Sequence, residues 1–320
     1  MSLDLPMVEG AAAWIDPLYL ATPVATHADL DAALGCSVLA KVETLNPIRC
    51  FKGRGAELFV ATRLAPGEAV ICASAGNFGQ AMARAARARG HACTVFAAVN
   101  ANPRKVEAMR RLGAKVLLSG DDFDSAKEAA RAAALRRGAR FVEDGAEPAI
   151  AAGAGTIGLE LAAVAPRLDD VIVPLGNGAL LAGVGTAIRA RLPAARITAV
   201  VAANAPSMQL SLQAGEAVPT ATAQTIADGV AVRAPIPEAL DMLRGRYDDV
   251  VAVTEDDIWA AMRLTLRTLG LLVEPAGVLG VAAVLAHPRR FTARAVATIL
   301  CGANLSDRML NDARLFDGRL

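Results

Sequence analysis

From about residue 69, short apolar runs alternate with amphipathic runs of helical period along most of the chain. AVICAS (69–74) is the first apolar run, and NFGQAMARAARARG (77–90) is the amphipathic run after it. The next such helix has Asn102 as its predicted cap, Pro103 in its first turn and Gly113 at its end. Strands that alternate with helices build mostly parallel sheets covered by helices. The sequence therefore predicts an α/β protein whose ligands bind at the carboxyl ends of strands.

The same alternation predicts the remaining elements of this part of the chain. Further strands are predicted at 92–99, 114–120, 139–143, 169–176, 196–203, 248–253 and 295–302. Further helices are predicted at 102–113, 121–138, 156–166 and 179–192, and from Thr254 and Pro275 onward.

Charge and hydropathy exclude several classes of function. The net charge is +1 with acids and bases mixed, and aromatic residues make up only 4%, so we expect no nucleic-acid partner. The uncharged run 171–188 contains a proline, an asparagine and four glycines, so it is predicted to be strand, turn and helix rather than a membrane span. The first ten residues are acidic and contain a proline, unlike a signal peptide.

The five cysteines are odd in number, lie far apart and form no CxxC pair, and the chain has three histidines. This usage argues against a disulfide framework or a zinc site and predicts a cytoplasmic protein. At 320 residues, two domains are expected.

Two strand-to-helix turns have the composition of anion sites. In CASAGNFGQ (72–80), the amides from Ser74 to Asn77 are expected to be free to bind a carboxylate, although a plain turn capped by Ser or Asn is the alternative. In PLGNGALLAG (174–183), small residues after a strand let backbone amides approach a phosphate at a helix start. This second turn lacks GK[ST], so the phosphate is predicted to belong to a cofactor other than ATP.

A third glycine-rich segment, GAGTIG (153–158), matches the dinucleotide pattern G-x-G-x-x-G. That pattern should come directly off a strand, but here the nearest predicted strand ends about ten residues earlier. No strand ending in an acid follows to hold a ribose, so we reject NAD binding.

Lys52 and Cys301 are the candidate reactive side chains. Only five of the 33 cationic residues are lysines, and Lys52 lies in NPIRCFKGRGAELF (46–59). Arginine stays protonated, whereas a buried lysine can act as a nucleophile or base; an ordinary surface cation is the alternative. Cys301, in ILCGANLS (299–306), is predicted at the carboxyl end of a strand, where a structural cysteine is the alternative.

Several of these segments, in this order, resemble the fold type II pyridoxal-phosphate (PLP) enzymes, most of all the serine/threonine dehydratase and serine racemase group. KVETLNPIRCFKGRGA resembles the family's Lys-x-Glu strand followed by Ser-Phe-Lys-x-Arg-Gly-Ala. SAGNFGQ is similar to its Ser-x-Gly-Asn-His loop, PLGNGALLAG to its tetraglycine loop, and LCGANL to its Ser-Gly-x-Asn turn. EPAIAAGAGTIGLE, TIADGVAV, AVTEDDI and EPAGVLGVAAVL match further segments, so the resemblance spans roughly residues 15 to 305.

The resemblance implies two open, twisted, mostly parallel sheets covered by helices, with the cofactor between two domains. Residues 1–68 and 147–320 would form the large PLP-binding domain, and 69–146 the small domain that carries the substrate loop. A homodimer is the assembly expected from the family.

The resemblance also assigns roles to individual residues. Lys52 would hold the cofactor covalently and take the Cα proton of the substrate. The other cofactor contacts would be Phe51 beside Lys52, Asn77 on the 3-hydroxyl, the phosphate loop of Gly176, Asn177, Gly178, Ala179 and Leu180, Glu274 in the pocket wall, and Cys301 facing the pyridine nitrogen. The substrate loop would be Ser74, Ala75, Gly76, Asn77 and Phe78.

The reaction implied is β-elimination from a 3-hydroxy amino acid, most of all L-threonine or L-serine, giving a 2-oxo acid and ammonia. Ala75 stands where the group's racemases carry a serine, which argues against racemisation. A β- or γ-replacement enzyme such as a cysteine or threonine synthase, and a binding protein without activity, stay open. No acid occurs from Ile197 to Gly215, so we expect that the cation site of several relatives is lost.

Overall fold

The computed structural model describes residues 2–74 and 76–316. Ten strands lie within these ranges and are numbered in chain order. They are β1 (Val24–Ala25), β2 (Ser37–Val42), β3 (Val70–Ala73), β4 (Cys93–Ala97), β5 (Lys115–Leu118), β6 (Arg140–Val142), β7 (Asp170–Pro174), β8 (Arg196–Ala202), β9 (Asp249–Val253) and β10 (Ala295–Leu300).

The strands form two sheets. The larger has the order β1-β2-β10-β7-β8-β9, and only β1 runs antiparallel to its neighbour. The smaller has the order β5-β4-β3-β6 and is entirely parallel. The expected fold class, α/β with two mostly parallel sheets, is confirmed.

Fourteen α-helices accompany the strands in the described part of the chain. They are α1 (Leu5–Ala11), α2 (Ala28–Leu34), α3 (Lys52–Arg63), α4 (Asn77–Ala88), α5 (Pro103–Arg111), α6 (Phe123–Arg137), α7 (Pro148–Val164), α8 (Ala179–Arg191), α9 (Ser207–Ala214), α10 (Pro237–Leu243), α11 (Glu255–Leu269), α12 (Leu279–Ala286), α13 (Pro288–Phe291) and α14 (Asp307–Leu310). Short 3₁₀ turns include Asp144–Ala146, Asp228–Val230 and Pro275–Val278.

Local capping chemistry accounts for several helix ends. The Asn102 side chain accepts a hydrogen bond from Arg104 N at the start of α5, as the sequence predicts. Thr254 and Asp257 form a reciprocal capping box at the start of α11. Gly138 ends α6 in the left-handed conformation, with a φ of 60° that glycine adopts without a Cβ clash.

The segment GAGTIG lies inside α7 and follows no strand, so it has no dinucleotide-binding geometry. The predicted helix was too short, because α7 begins at Pro148 rather than at residue 156. A Cβ added to Gly153 would lie 2.5 Å from Arg54 O on α3, and one on Gly155 would lie 2.8 Å from Gly183 O on α8. These glycines therefore let three helices pack with their backbones in close approach.

Each sheet draws its strands from one of the two expected domains. The small sheet uses residues between Val70 and Val142, inside the range 69–146, and the large sheet uses strands on both sides of that range. The division into two domains stays a proposal. Among the described residues, no helix is long and apolar enough to cross a membrane, and no cluster of side chains could hold a metal ion.

Candidate active site

The lysine segment is tied by its backbone to the turn that follows β10. Phe51 N donates a hydrogen bond to Cys301 O at 3.0 Å, and Ala303 N donates to Arg49 O at 2.9 Å. Because α3 begins immediately after this bridge, Lys52 and the end of a buried parallel strand are held together. The amine thus lies where α/β folds present their ligand sites.

The Lys52 ammonium lies between two aromatic rings and a carboxylate. Its Nζ is 5.0 Å from the centre of the Phe51 ring and 6.0 Å from that of Phe78. Nζ also donates a hydrogen bond to Asp144 Oδ2, and the two side chains are only 15% and 6% exposed. The ordinary surface cation considered for Lys52 is therefore wrong.

The turn between β3 and α4 differs from the expected row of free amides. Ser74 N donates to Phe96 O at 2.9 Å, and Gly76 N donates to Ser74 Oγ at 3.1 Å. The same hydroxyl accepts from Gly79 N at 2.8 Å, so Ser74 also stabilises the first turn of α4. The prediction of free amides is therefore wrong for Ser74, whose N–H is bonded to strand β4, and for Gly76, whose N–H is bonded to the Ser74 hydroxyl at the start of α4. Ala75, the residue that argues against racemisation, lies outside the described residues.

The Asn77 amide is oriented at both ends by neighbouring side chains, of which Glu274 is buried. Its Nδ2 donates to Glu274 Oε1 at 2.6 Å, and its Oδ1 accepts from Asn304 Nδ2 at 2.8 Å. Glu274 also accepts from Asn304 N at 2.9 Å. Burial raises the pKa of Glu274, although the positive charge of Lys105 opposes this effect.

The glycine-rich turn between β7 and α8 presents an uncapped helix start. Gly178, the N-cap residue, has a φ of 97° and gives no side-chain capping bond, so the first amides of the 13-residue helix keep their capacity to bind an anion. A Cβ on Gly176 would lie 2.9 Å from Gly229 O, so only glycine fits there. The turn has the form of a phosphate cradle.

Cys301 stands at the end of β10 as a neutral thiol. It is 5% exposed, and its Sγ donates a weak hydrogen bond to Ile299 O at 3.3 Å. Burial, with smaller contributions from Glu274 and Glu43, raises the pKa of this thiol well above its ordinary value. The thiol therefore stays protonated at neutral pH and adds no charge to the site.

Two adjoining cavities collect the predicted residues. The inner one, of about 470 Å³, is lined by every residue predicted to contact the cofactor: Phe51, Lys52, Asn77, Gly176, Asn177, Gly178, Ala179, Leu180, Glu274 and Cys301. The outer one, of about 1470 Å³, is lined by the described residues of the predicted substrate loop: Ser74, Gly76, Asn77 and Phe78. Lys52 and Asp144 line both cavities.

A buried ionic network supports the helix that carries the lysine. Arg54 donates to Glu43 at 2.7 and 3.0 Å and to Glu160 at 2.6 and 3.0 Å. Lys41 pairs with Glu160 at 2.6 Å. The charged residues of the KVE and KGRGA segments, apart from Lys52, therefore hold β2, α3 and α7 together rather than line the inner cavity.

Three side chains at the site are not predicted from the sequence. Asp144 follows the predicted strand 139–143 and matches no motif, and Asn304 stands in the LCGANL turn without a predicted role. Lys105 is 6% exposed and pairs with Asp228 at 2.5 Å on the wall of the outer cavity. The helix around Lys105 is rich in charged residues, so its sequence predicts an exposed lysine rather than a buried one.

Comparison with known families decides the class. The family described as pyridoxal-phosphate dependent enzyme matches residues 15–302. The chain belongs to the pyridoxal-phosphate dependent enzymes.

Named relatives of this PLP enzyme share most of its length. It is 39% identical over 280 residues to the L-threonine ammonia-lyase of Geobacter sulfurreducens, covering 87% of this chain and 70% of the relative. It is 36% identical over 305 residues to that of Thermotoga maritima, covering 93% and 76%. Among solved structures, maize serine racemase has a TM-score of 0.90 at 28% identity, covering 97% of this chain and 96% of the racemase. The T.th. threonine deaminase has a TM-score of 0.89 at 32% identity, covering 95% and 99%.

The donor set of the inner cavity fits the family's cofactor. PLP combines an aldehyde, which an amine can bind, with a phosphate and an aromatic ring nitrogen. The cavity offers the Lys52 amine, the uncapped start of α8 with the close-packed Gly176 and Gly178, and the neutral Cys301 thiol. The residues present therefore match the chemistry of the cofactor.

Proposed function

We propose that this PLP enzyme is an ammonia-lyase that eliminates the 3-hydroxyl group of L-threonine or L-serine and releases a 2-oxo acid and ammonia. The observation that carries the proposal is that Lys52 and the uncapped start of α8 line one inner cavity, which adjoins the outer cavity lined by Ser74, Gly76, Asn77 and Phe78. The two relatives named L-threonine ammonia-lyase support this choice of substrate and reaction.

Several residues would hold the cofactor. Lys52 would bind it covalently, and Phe51 would pack beside that link. The amides of Gly176, Asn177, Gly178, Ala179 and Leu180 would hold its phosphate at the start of α8. Asn77 would bond its 3-hydroxyl, and its orientation by Glu274 and Asn304 supports that role. Cys301 would meet its ring nitrogen.

When bound, PLP supplies an electron sink that makes the Cα proton of an amino acid removable. Lys52 Nζ would take that proton, for which it must be a neutral amine. Cys301 would stay an uncharged partner, because a buried thiol with a raised pKa neither ionises nor donates strongly. A neutral partner limits charge delocalisation into the ring, which favours loss of the 3-hydroxyl over transamination.

The substrate would enter through the outer cavity, with its carboxylate on the loop formed by Ser74, Ala75, Gly76 and Asn77. The centre of the Phe78 ring is 6.0 Å from Lys52 Nζ, so this side chain would make the entrance apolar. Because Ala75 has no side-chain proton to return to Cα, elimination is favoured over racemisation.

The first experiment asks whether the cofactor binds. Purified protein should absorb in the visible range, and borohydride reduction followed by peptide mass spectrometry should place the cofactor on Lys52. Lys52→Arg is the matched variant, because it keeps the positive charge but cannot form the covalent link. A protein that binds no PLP refutes the proposed function.

The second experiment asks which reaction the loaded enzyme performs. A panel of 3-hydroxy amino acids is assayed for ammonia and 2-oxo acid, and we expect the highest kcat/KM with L-threonine or L-serine. Product that forms only after addition of a thiol or other nucleophile would instead establish a β- or γ-replacement enzyme.

Three further expectations belong to the same proposal. Residues 69–146 would form a small domain on the large one, and two copies of the chain would form a homodimer, which light scattering can test. A cytoplasmic location rests on cysteine usage, since all five thiols are free and buried. No divalent cation is expected to be required, and treatment with a chelator tests this.

A further inference from the structure

Asp144 is the one carboxylate that contacts the Lys52 amine among the described residues. It begins the 3₁₀ turn Asp144–Ala146 after β6, and its Oδ2 accepts the hydrogen bond from Lys52 Nζ. Its other oxygen, Oδ1, is buried and has no hydrogen-bond partner in the described part of the protein. A buried carboxylate oxygen without a donor costs free energy, so its presence beside the reactive amine calls for a ligand that donates to it.

The carboxylate is fixed in place on both sides. A Cβ on Gly145 would lie 2.5 Å from Asn177 O, so the turn packs directly against the phosphate loop. On the other side, Glu143 pairs with Lys127 and with Arg131, each at 3.0 Å. These contacts fix the backbone of the turn, so Asp144 is held at the wall of the cavity.

We infer that Asp144 is a further catalytic residue, which receives the α-ammonium group of the incoming amino acid and takes a proton from it. The inference rests on the proposed function. A substrate that displaced Lys52 from the cofactor would place its nitrogen at the position that Nζ had held. A carboxylate within hydrogen-bonding distance of one nitrogen is therefore within reach of the other.

The proton balance gives Asp144 a specific task. The α-ammonium cannot attack until it loses a proton, and Asp144 accepts that proton. The freed amine would replace Nζ at the cofactor carbon. A second proton would pass from the substrate nitrogen to Nζ, which already carries one proton in the cationic Lys52 linkage, so that Nζ leaves with two. Asp144 ends protonated and Lys52 ends as a neutral amine, which is the form required to take the Cα proton.

The test follows this exchange by stopped-flow absorbance of the loaded enzyme, with no product assay. L-2-aminobutyrate is the probe, because it has the carbon skeleton of threonine without the hydroxyl leaving group. In Asp144→Asn, which keeps the size of the side chain but accepts no proton, exchange should slow by about 100-fold. Glu147→Gln is the control, because this neighbouring carboxylate pairs with Arg140 and lines neither cavity.

A second probe separates catalysis from a structural effect. Methoxyamine reaches the site as a neutral nucleophile and needs no base, so Asp144→Asn should react with it within about threefold of the wild-type rate. Equal slowing with both probes, or no slowing with either, overturns the role of Asp144. Loss of the visible absorbance from the wild type itself would refute the proposed function instead, so the two failures are distinguishable.

Discussion

Replacement of Arg54 tests whether the buried charges beneath Lys52 hold the site in place. The Arg54 guanidinium is fully buried, and it meets Glu43, also fully buried, and Glu160, which is 20% exposed. Arg54→Met leaves Glu43 as a buried charge without its cation, and breaking one partner of such a pair costs about 3–5 kcal/mol. At roughly 2.1 cal/mol/K of unfolding entropy per residue, this corresponds to a fall in Tm of about 4–7 °C for a chain of 320 residues.

The assay is thermal unfolding followed by circular dichroism, on single and double variants. Glu43→Gln/Arg54→Met removes the stranded charge together with its cation, so it should be less destabilised than the sum of the two single variants by about 1–3 kcal/mol. Arg191→Met serves as the control, because its pair with Glu9 is exposed and is worth about 0–1 kcal/mol. Additive losses in the double variant would refute the ionic explanation.

The same network predicts a dependence on acid. Burial would raise the pKa of Glu160, but hydrogen bonds and charge from Arg54 and Lys41 outweigh it and hold the pKa below its ordinary value of 4.5. A carboxyl with a lowered pKa stabilises the fold above its unfolded pKa, and this stabilisation is lost as pH falls through the folded value. Below about pH 4.5, the wild type should therefore lose more stability than Arg54→Met.

Three further substitutions should change either the affinity for PLP or the thermal stability. Gly178→Ala forces alanine to a φ of 97°, a strain of about 1–2 kcal/mol, so the Kd of PLP measured by absorbance titration should rise roughly tenfold. Asn304→Ala removes the donor to Asn77 Oδ1 and to Ile48 O, a loss of about 1 kcal/mol, so the same titration should show roughly fivefold weaker binding, and the Tm of the cofactor-free protein should fall by only about 1–2 °C. Gly183→Ala would place a Cβ 1.9 Å from the backbone oxygen of Ala151, so α7 and α8 would have to move apart. The Tm should therefore fall by several degrees while unfolding stays cooperative.

Most of the strands and the loops at their carboxyl ends could be predicted because their signals are local. The cap at Asn102 and the glycine at 138 mark helix ends whatever packs against them. Elements before residue 69 were harder to predict. Helix α1 has only seven residues, too few to show a helical period, and strand β2 contains Lys41, whose burial is offset by a glutamate from α7.

Asp144 could not have been predicted for a different reason. It lies 92 residues from Lys52, and the two meet because the turn after β6 of the small sheet lies against the start of α3. Pairing of that kind depends on how two layers pack, which no local pattern in the sequence encodes. The prediction of free amides failed at Ser74 and Gly76 for a local reason, since the Ser74 hydroxyl accepts from Gly76 N and Gly79 N, which is the capped turn that the sequence offers as the alternative.

The distribution of charge in the inner cavity bears on which reaction the enzyme performs. The Cys301 thiol is uncharged, since burial raises its pKa well above the ordinary value. On the Lys52 side of the cavity, the Lys52 amine and the Asp144 carboxylate form a largely buried ion pair. The Lys52–Asp144 pair therefore lies where the substrate nitrogen and Cα would bind, and the Cys301 thiol that would meet the ring nitrogen carries no charge. Under the proposed function, such a site can remove the Cα proton but gives little support to a long-lived carbanion, so rapid loss of the 3-hydroxyl is the outcome that its charges favour.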